Sequence, residues 1–368
     1  MKVLKVVLTG GPCGGKTTAI NKVQQEFIEK GYHVIVVPEA ATILINSGIR
    51  PFGINGLAMY DFQKYVIDLQ LQLETHAEMA ADELSSPTII ICDRGILDDK
   101  AYVSEEEYTR LLHERNLTHF DIHSRYDLVL HLKTAAEGKE EFYTTENNGA
   151  RTETIEEAKI KDKRTLEAWY GHENLKIIGN DTDFSNKIAR VLHEIYQTLK
   201  TPYPIQKQEK YLVEALDYKE LLEQKPVIIE IEQYVEKIEN GEIIYRYSNH
   251  NGEVKYTKIT KKDTPKNEER IVLRRNVTEE EYNTNAPNDK RIIKKTRYCF
   301  AYLNQYFKLD CFDDGLKVLE IEYTNKTTQR KIPNYISIID NVTNNIEYRN
   351  ALLYEQKNTK QNQKSKIN

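Results

Sequence analysis

The chain is poor in cysteine and has no long apolar run. Its four cysteines in 368 residues are too few and too scattered for a disulfide framework or a zinc cluster. No segment reaches the ~20 uncharged apolar residues that a membrane-spanning helix needs. Lys5 and the glycines that follow it also interrupt the apolar core that a signal peptide requires. These features predict a cytoplasmic protein in a reducing, intracellular environment.

A strong charge of either sign is also missing. The chain has 52 basic and 57 acidic residues and a net charge of −5, so bulk binding to nucleic acid is not expected. Apolar residues make up 39% of the sequence and charged residues 30%, which is typical of globular proteins rather than of disordered or membrane proteins. At roughly 150 residues per domain, the length predicts about two domains.

Residues 1–200 have the pattern of an α/β domain. Short apolar runs alternate with segments whose apolar residues recur every three or four positions. This alternation is typical of a parallel sheet with helices on both faces. The predicted strands are Val3–Thr9, His33–Val37, Thr88–Cys92, Asp127–Leu132 and Leu175–Ile178.

The pattern changes after Thr201-Pro-Tyr-Pro, which cannot continue a helix. We place a linker at residues 200–206 and predict an antiparallel β-barrel domain over residues 206–355. The last segment, residues 356–368, is almost free of apolar residues and is predicted to be a disordered tail. The predicted barrel strands are Val227–Val235, Ile243–Tyr247, Val254–Thr260, Arg270–Arg275, Arg291–Phe300, Tyr306–Phe312 and Leu316–Tyr323.

A glycine-rich motif lies between the first strand and the first helix. Residues 10–17 match the pattern G-x-x-x-x-G-K-[ST], in which backbone N–H groups and the helix N-terminus surround phosphates. Lys16 would reach the β- and γ-phosphates, and Thr17 would bind Mg²⁺. The alternative is a glycine-rich turn that arose by chance. The predicted cofactor-binding residues in this loop are Gly10, Gly11, Pro12, Cys13, Gly14, Gly15, Lys16, Thr17 and Thr18.

Acidic residues at strand ends are the next candidates. Asp93 ends a buried strand and is predicted as a catalytic carboxylate and as the second Mg²⁺ ligand. Arg94 would either face the phosphates or brace the sheet. Glu39 would either activate an acceptor hydroxyl, as a catalytic residue, or cap the next helix. Asp98 and Asp99 would hold substrate or lie on a solvated turn.

Two later segments complete the predicted nucleotide site. Arg151 is predicted as a catalytic arginine on a lid that closes over the γ-phosphate, whereas the lysines of the following helix suit a solvated surface. Asn180 and Asp181 lie where such folds commonly meet the nucleotide base, and a carboxylate there would suit guanine. The histidine pair at positions 119 and 123 is interpreted as a core or surface pair rather than a zinc site.

Four segments in this order resemble the P-loop kinase-like ATP/GTP-binding domains related to nicotinamide riboside kinase and thymidylate kinase. The resemblance covers most of residues 1–200. It implies an α/β P-loop NTPase fold that takes GTP or ATP with Mg²⁺. The segments are GGPCGGKT at 10–17, PEAAT at 38–42, CDRGILDD from 92 and ARTETIEEA from 150.

Basic residues in the predicted barrel strands suggest a second site. Side chains two residues apart share a strand face, so such charges would point into the barrel lumen, where they need a partner or a ligand. The lumen would then bind phosphoryl groups. The alternative is that these residues lie on the solvated outer face. The predicted anion-binding residues are Lys210, Arg246, Lys258, Arg275, Lys295, Arg297, Glu320 and Glu322.

Residues 206–325 also resemble the CYTH, or triphosphate tunnel, family, through EKYLV at 209–213, IEQYV at 231–235, KKTRYCF at 294–300 and LEIE at 319–322. Active members open with E-x-E-x-K, but this chain has Gln206 and Gln208 at the acidic positions and keeps only Lys210. The resemblance therefore implies a tunnel that binds an anion without hydrolysing it.

The order of the two halves resembles the TRPL translocation defect protein family, which binds GTP and phosphoinositides and acts in membrane-protein trafficking. The resemblance implies a regulatory protein whose partners are a nucleotide and a phosphoinositide headgroup or polyphosphate, with peripheral membrane contact. The alternative is a small-molecule or nucleoside kinase with an accessory phosphate-binding barrel. Triphosphate hydrolysis in the barrel is a third, weaker hypothesis.

Overall fold

The computed structural model describes residues 3–143, 154–200, 205–263, 269–285, 292–322 and 330–348. The chain divides into two compact units, Met1–Tyr196 and Gln197–Asn368. Within the described residues, no helix combines the length and hydropathy that crossing a bilayer would require.

The first unit is built on a five-stranded parallel sheet. Its order is β2-β3-β1-β4-β5, so β1 lies in the centre and pairs with both β3 and β4. β1, β3 and β4 are almost entirely buried apolar residues, as expected of parallel strands covered on both faces. The strands are β1 Val3–Thr9, β2 His33–Val37, β3 Thr88–Asp93, β4 Leu128–Leu132 and β5 Leu175–Ile178.

Three helices of this unit begin at capping boxes. Ser104, Thr118 and Thr154 each accept a hydrogen bond from the backbone N–H three residues on, and the side chain at that position completes a capping box. A short 3₁₀ segment, Ile96–Ala101, follows β3. The α-helices are α1 Lys16–Ile28, α2 Ala40–Asn46, α3 Met59–Glu83, α4 Glu105–His113, α5 His119–Ser124, α6 Ile155–Ala168 and α7 Phe184–Lys200.

The second unit contains a nine-stranded antiparallel sheet. The order is β10-β9-β8-β7-β11-β12-β13-β6-β14, and β10 also pairs with the first residues of β6. Two short helices, α8 Tyr218–Glu223 and α9 Glu279–Thr284, lie between strands. The strands are β6 Ile205–Leu216, β7 Val227–Ile238, β8 Gly241–His250, β9 Glu253–Asp263, β10 Glu269–Asn276, β11 Ile293–Tyr302, β12 Gln305–Phe312, β13 Lys317–Glu322 and β14 Ile336–Asn341.

Strand register assigns the side chains of this sheet to two faces. One face carries a cluster of buried apolar residues, one from each of seven strands. Hydrophobic packing therefore excludes water from this part of the face. The cluster consists of Val235, Ile244, Ile259, Val272, Ile293, Phe312 and Val318. We call this side of the sheet the inner face.

Two strands were not among those predicted. The linker predicted at 200–206 overlaps β6, which begins at Ile205, and β14 lies beyond the last predicted strand. The start of β6 is rich in Gln, Lys and Glu, so composition hides its alternation. The predicted tail at 356–368 lies outside the described residues.

Candidate functional site

The glycine-rich loop joins the end of β1 to the start of α1. Gly10 has φ 128°, and a Cβ at this position would lie 2.2 Å from the carbonyl oxygen of Leu132. Only glycine fits this backbone conformation and this close approach. The loop is therefore held directly against the end of β4, next to the N-terminus of α1.

Lys16 folds back over the loop. Its Nζ donates hydrogen bonds to the carbonyl oxygens of Gly10 and Gly11, both at 2.9 Å. Burial, reinforced by the nearby Arg94 guanidinium, lowers the pKa of Lys16 to about 8. Thr17 and Thr18, the next residues of α1, are exposed. The ammonium group thus lies at the centre of the loop, where the motif requires a phosphate-binding cation.

Arg94 braces the carboxyl end of the sheet. Its backbone has a positive φ of 70°, and its Nε donates to Glu39 Oε1 at 2.5 Å. The same guanidinium contacts Gly10 O at 3.3 Å and Asp98 Oδ2 at 3.4 Å. The sequence allowed Arg94 either to face the phosphates or to brace the sheet, and these contacts correspond to bracing.

Glu39 is held by partners on both of its oxygens. Besides the bond from Arg94, its Oε2 accepts a hydrogen bond from Thr42 at 2.7 Å. It precedes α2 but makes no side-chain cap. Burial opposes ionisation, yet Arg94 and Thr42 hold the pKa of Glu39 below its usual value. Glu39 is therefore an ion-paired carboxylate, which weakens it as a general base.

The acidic residues after β3 have different environments. Asp93 is half-buried, and burial, with the neighbouring Glu39 and Asp98, raises its pKa although Lys16 opposes the shift. Asp98 is buried and accepts hydrogen bonds from Thr9 Oγ1 and Trp169 Nε1, both at 2.6 Å. The interpretation of Asp98 and Asp99 as residues of a solvated turn is wrong, because both are buried.

Asp162 is a residue of this site that the sequence did not reveal. It is fully buried on α6 and accepts hydrogen bonds from the N–H groups of Gly11 at 2.8 Å and Thr134 at 3.0 Å. Lys133 Nζ lies 2.8 Å from its carboxylate, and His131 Nε2 lies 3.3 Å away. Burial opposes ionisation, but His131 and Lys133 hold the pKa of Asp162 far below its usual range. This carboxylate ties α6 to the glycine-rich loop.

The segment between β5 and α7 is fixed by polar contacts. Asn180 Nδ2 donates to the carbonyl oxygens of Thr134 at 2.8 Å and Glu137 at 2.9 Å, and Asn180 Oδ1 accepts from Lys187 at 2.7 Å. Asp181 is exposed and is paired with Arg190 at 2.8 Å. Asn180 is thus engaged with the protein, whereas Asp181 stays at the surface.

The remaining residues that the sequence singled out lie away from the glycine-rich loop or outside the described residues. Arg151 falls outside the described residues. Lys163 and Arg164 are exposed on α6, as a solvated helix requires. His119 is buried beside Tyr108, and the described residues contain no group of three potential metal ligands.

A comparison with family models adds to this geometry. Residues 5–187 match the model of a family described as an AAA domain. This part of the chain is a P-loop NTPase-like domain. The P-loop domain contains the glycine-rich loop, Lys16 and the buried Asp162 at one end of its parallel sheet.

Two solved structures and the curated proteins were also compared. The hypothetical protein NE1496, known from a crystal structure, is 18% identical, with 40% of this chain and 97% of that chain covered and a TM-score of 0.30. The PH1819 protein from Pyrococcus horikoshii OT3 is 14% identical, with 34% and 80% covered and a TM-score of 0.27. No curated protein matches the chain. The assignment of the P-loop domain depends on the family match and the loop.

A second cluster of charged residues lies on the inner face of the antiparallel sheet. Six of the eight predicted anion-binding residues are brought together there, and further charges that sequence reasoning missed share the face. The predicted members are Lys210, Arg246, Lys295, Arg297, Glu320 and Glu322; the additional members are Glu242, Lys261, Arg274, Lys308 and Asp310. We call these eleven residues the charged cluster.

Lys258 and Arg275 do not belong to the charged cluster. They are register partners of each other on β9 and β10, and Lys258 is opposite Tyr245 rather than Arg246. Arg275 is exposed and forms an ion pair with Glu281. The expectation that the basic residues predicted for anion binding all share one face is wrong for Lys258 and Arg275, because face assignment depends on register between strands.

Ion pairs compensate the buried charges of the cluster. Asp310 accepts hydrogen bonds from Lys295 at 2.6 Å and from Arg297 at 2.7 and 2.8 Å, and Lys210 Nζ lies 2.9 Å from Glu320. Burial lowers the pKa of Lys295 to about 8 although Asp310 opposes the shift. Burial opposes ionisation of Asp310, but Arg297 and Lys295 hold its pKa below the usual value. Buried charges persist only with such partners, and cations outnumber carboxylates in this cluster.

Proposed function

We propose that the protein is a nucleotide-binding regulatory protein. Its P-loop domain binds GTP or ATP with Mg²⁺, and its second unit binds a phosphoinositide headgroup or polyphosphate without hydrolysing it. The observation that carries the first part is the position of Lys16 over the glycine-rich loop at the end of β1. The resemblance to the TRPL translocation defect family supports a role at a membrane and in membrane-protein trafficking.

In this proposal, backbone N–H groups of residues 13–18 and the Lys16 ammonium bind the phosphates. Thr17 and Asp93 are the Mg²⁺ ligands from the chain. The exposed Thr17 hydroxyl and the half-buried Asp93 carboxylate have suitable chemistry. Mg²⁺ commonly takes one or two protein ligands and completes its shell with phosphates and water. Arg151 would act on the γ-phosphate, and Asn180 with Asp181 would border the base.

The second unit is proposed to be a closed tunnel around the charged cluster. The pairing of β10 with the start of β6 supports closure, since these strands lie towards opposite ends of the sheet order. The excess of buried cations over carboxylates supports an anionic ligand. Gln206 and Gln208, at positions where active tunnel enzymes carry acids, argue against hydrolysis.

A kinase remains the second candidate, and one observation favours it. The pKa of Asp93 is raised by burial, which suits a general base for an acceptor hydroxyl. Glu39, which the sequence suggested as the general base, is less suited to that role because its pKa is lowered.

Thermal denaturation with ligands tests the proposal. The ligands are GTP, ATP, tripolyphosphate and soluble inositol phosphates, each with Mg²⁺. At about 100 times its Kd, a ligand adds ~2.7 kcal/mol to the free energy of unfolding. We expect Lys16→Ala to abolish the shift with nucleotides. Arg297→Gln should abolish the shift with inositol phosphates, whereas Arg275→Gln, on the outer face, should leave it intact.

The contradicting outcomes are distinct. Nucleotide shifts that persist in Lys16→Ala would mean that the nucleotide site lies elsewhere. Absence of any shift with inositol phosphates and tripolyphosphate, together with phosphoryl transfer from ATP to a small acceptor, would favour the kinase.

A further inference from the structure

Phe184 is an exposed aromatic residue at the edge of the glycine-rich loop. It is the first residue of α7, and 51% of its surface is exposed. Its ring lies against Gly15, where an added Cβ would be 2.7 Å from Phe184 Cε2. Gly15 immediately precedes Lys16, so the ring borders the phosphate-binding part of the loop.

The backbone that carries Phe184 is firmly anchored. Lys187, one turn later, is buried and donates to Lys133 O at 2.6 Å and Asn180 Oδ1 at 2.7 Å. Asp183 accepts a hydrogen bond from the N–H of Asn186 at 2.9 Å. A half-exposed aromatic ring on such a fixed support is pre-organised to bind a ligand, because little conformational entropy remains to be lost.

We propose that the base of a bound nucleotide stacks on Phe184. The inference rests on the proposed nucleotide site and names the part of the ligand that this side of the site recognises. Phosphates held by the loop leave the ribose and base to extend along its rim, and Phe184 offers an aromatic surface there. Because every base has a π-face, stacking accepts purines generally and distinguishes a nucleoside triphosphate from bare tripolyphosphate.

The test compares ligands with and without a base. Dissociation constants for GTP, ATP and tripolyphosphate would be measured by calorimetry on the full chain and its Phe184→Ala, Phe184→Leu and Phe184→Tyr variants. Phe52→Ala is the matched control, because Phe52 is 52% exposed in another loop. Lys16→Ala identifies tripolyphosphate that binds outside the loop, so that this fraction can be subtracted.

We expect Phe184→Ala to weaken nucleotide binding by about 5- to 150-fold, since stacking on an aromatic side chain contributes ~1–3 kcal/mol per base. Phe184→Leu should also weaken it, and Phe184→Tyr should restore it. Tripolyphosphate binding at the loop should stay within about twofold in all variants, as should nucleotide binding in Phe52→Ala.

Three results would overturn the inference alone. Equal weakening of nucleotide and tripolyphosphate would mean that Phe184 only supports the loop, and unchanged affinities would exclude any contact with the base. If the chain binds tripolyphosphate through the loop but binds no nucleotide, the proposed base site is wrong and the phosphate site still stands. A chain that binds neither at the loop would overturn the proposed nucleotide site as well.

Discussion

The charge of Lys16 is set by its surroundings. Burial and the Arg94 guanidinium bring its pKa to about 8, whereas an exposed lysine titrates near 10.4. The side chain is therefore mostly protonated at neutral pH and loses its charge within the range of ordinary buffers. Phosphate binding favours the charged form, so affinity is greatest below pH 8 and declines above it.

We predict that the Kd for nucleotide rises about tenfold between pH 7 and pH 9, as expected for one group with a free-state pKa of about 8. Titration calorimetry at several pH values measures this. Lys187 also has a pKa lowered to about 8 by burial, so a Lys16→Arg variant is the control. Arginine stays charged, and a steep pH dependence in that variant would assign the effect to Lys187 instead.

Asp162 offers a second prediction at this scale. Asp162→Ala would leave Lys133 with only the exposed Glu137 as its counter-charge and two backbone N–H groups without an acceptor. We expect a loss of about 3–5 kcal/mol in the free energy of unfolding, measured by urea denaturation. Asp162→Asn keeps an oxygen acceptor for Gly11 and should lose less. Equal losses in the two variants would mean that the charge alone matters.

The loop and Asp162 differ in how visible they are in sequence. Residues 10–17 form a contiguous motif, so their chemistry can be predicted without a fold. The Asp162–Gly11 bond joins residues 151 positions apart, and no local pattern in α6 distinguishes Asp162 from a solvated acid. The sequence left two roles open for Arg94, contact with the phosphates or bracing of the sheet. The positions of its partners Glu39 and Asp98 were needed to choose between them.

Strands present the same problem in another form. Alternation predicts that residues two apart share a face, and on this basis Lys295 and Arg297 were correctly grouped. Lys258 and Arg275 were misplaced because their strands' register relative to β8 is not encoded locally. For the same reason Lys261 and Arg274 were overlooked, although each is close in sequence to a residue that was selected.

Asp310 on β12 links three strands through its contacts with β11 and its register with β13. We predict that Asp310→Asn lowers the free energy of unfolding by about 3–5 kcal/mol, because Lys295 and Arg297 lose their counter-charge. The same change should tighten tripolyphosphate binding, because the face becomes more positive. Chemical denaturation and calorimetry measure the two effects.

Asp314→Asn is the control for this change, since Asp314 is an exposed turn residue and its replacement keeps an acceptor for Leu316 N. Unchanged tripolyphosphate binding in Asp310→Asn, at unchanged fold, would mean that the ligand does not use the charged cluster.

At the scale of the whole molecule, the division into two units predicts two ligand-specific transitions. In scanning calorimetry, GTP should raise the temperature of one transition and a soluble inositol phosphate the other, because a ligand stabilises the unit that binds it. Lys16→Ala should remove only the first effect. A single transition that responds equally to both ligands would show that the units unfold as one cooperative body.

The two units were not equally predictable. All five strands of the parallel sheet coincide with runs rich in apolar residues, because the central strands β1, β3 and β4 are covered on both faces. In the second unit, β6 and β14 were missed, since half-exposed strands with many polar residues resemble loops in composition. The turn between β8 and β9 is formed at Asn251-Gly252, a dipeptide that favours tight hairpins.

The alternation of buried and more exposed residues from Ile293 to Cys299 in β11 also limits which insertions and deletions this strand can accept. A one-codon insertion before Lys295 in β11 would move Lys295 and Arg297 to the outer face of the sheet and bring their neighbours to the inner face. Drift in length is therefore expected in the hairpin turns, while the strands between them tolerate substitutions far better than insertions or deletions.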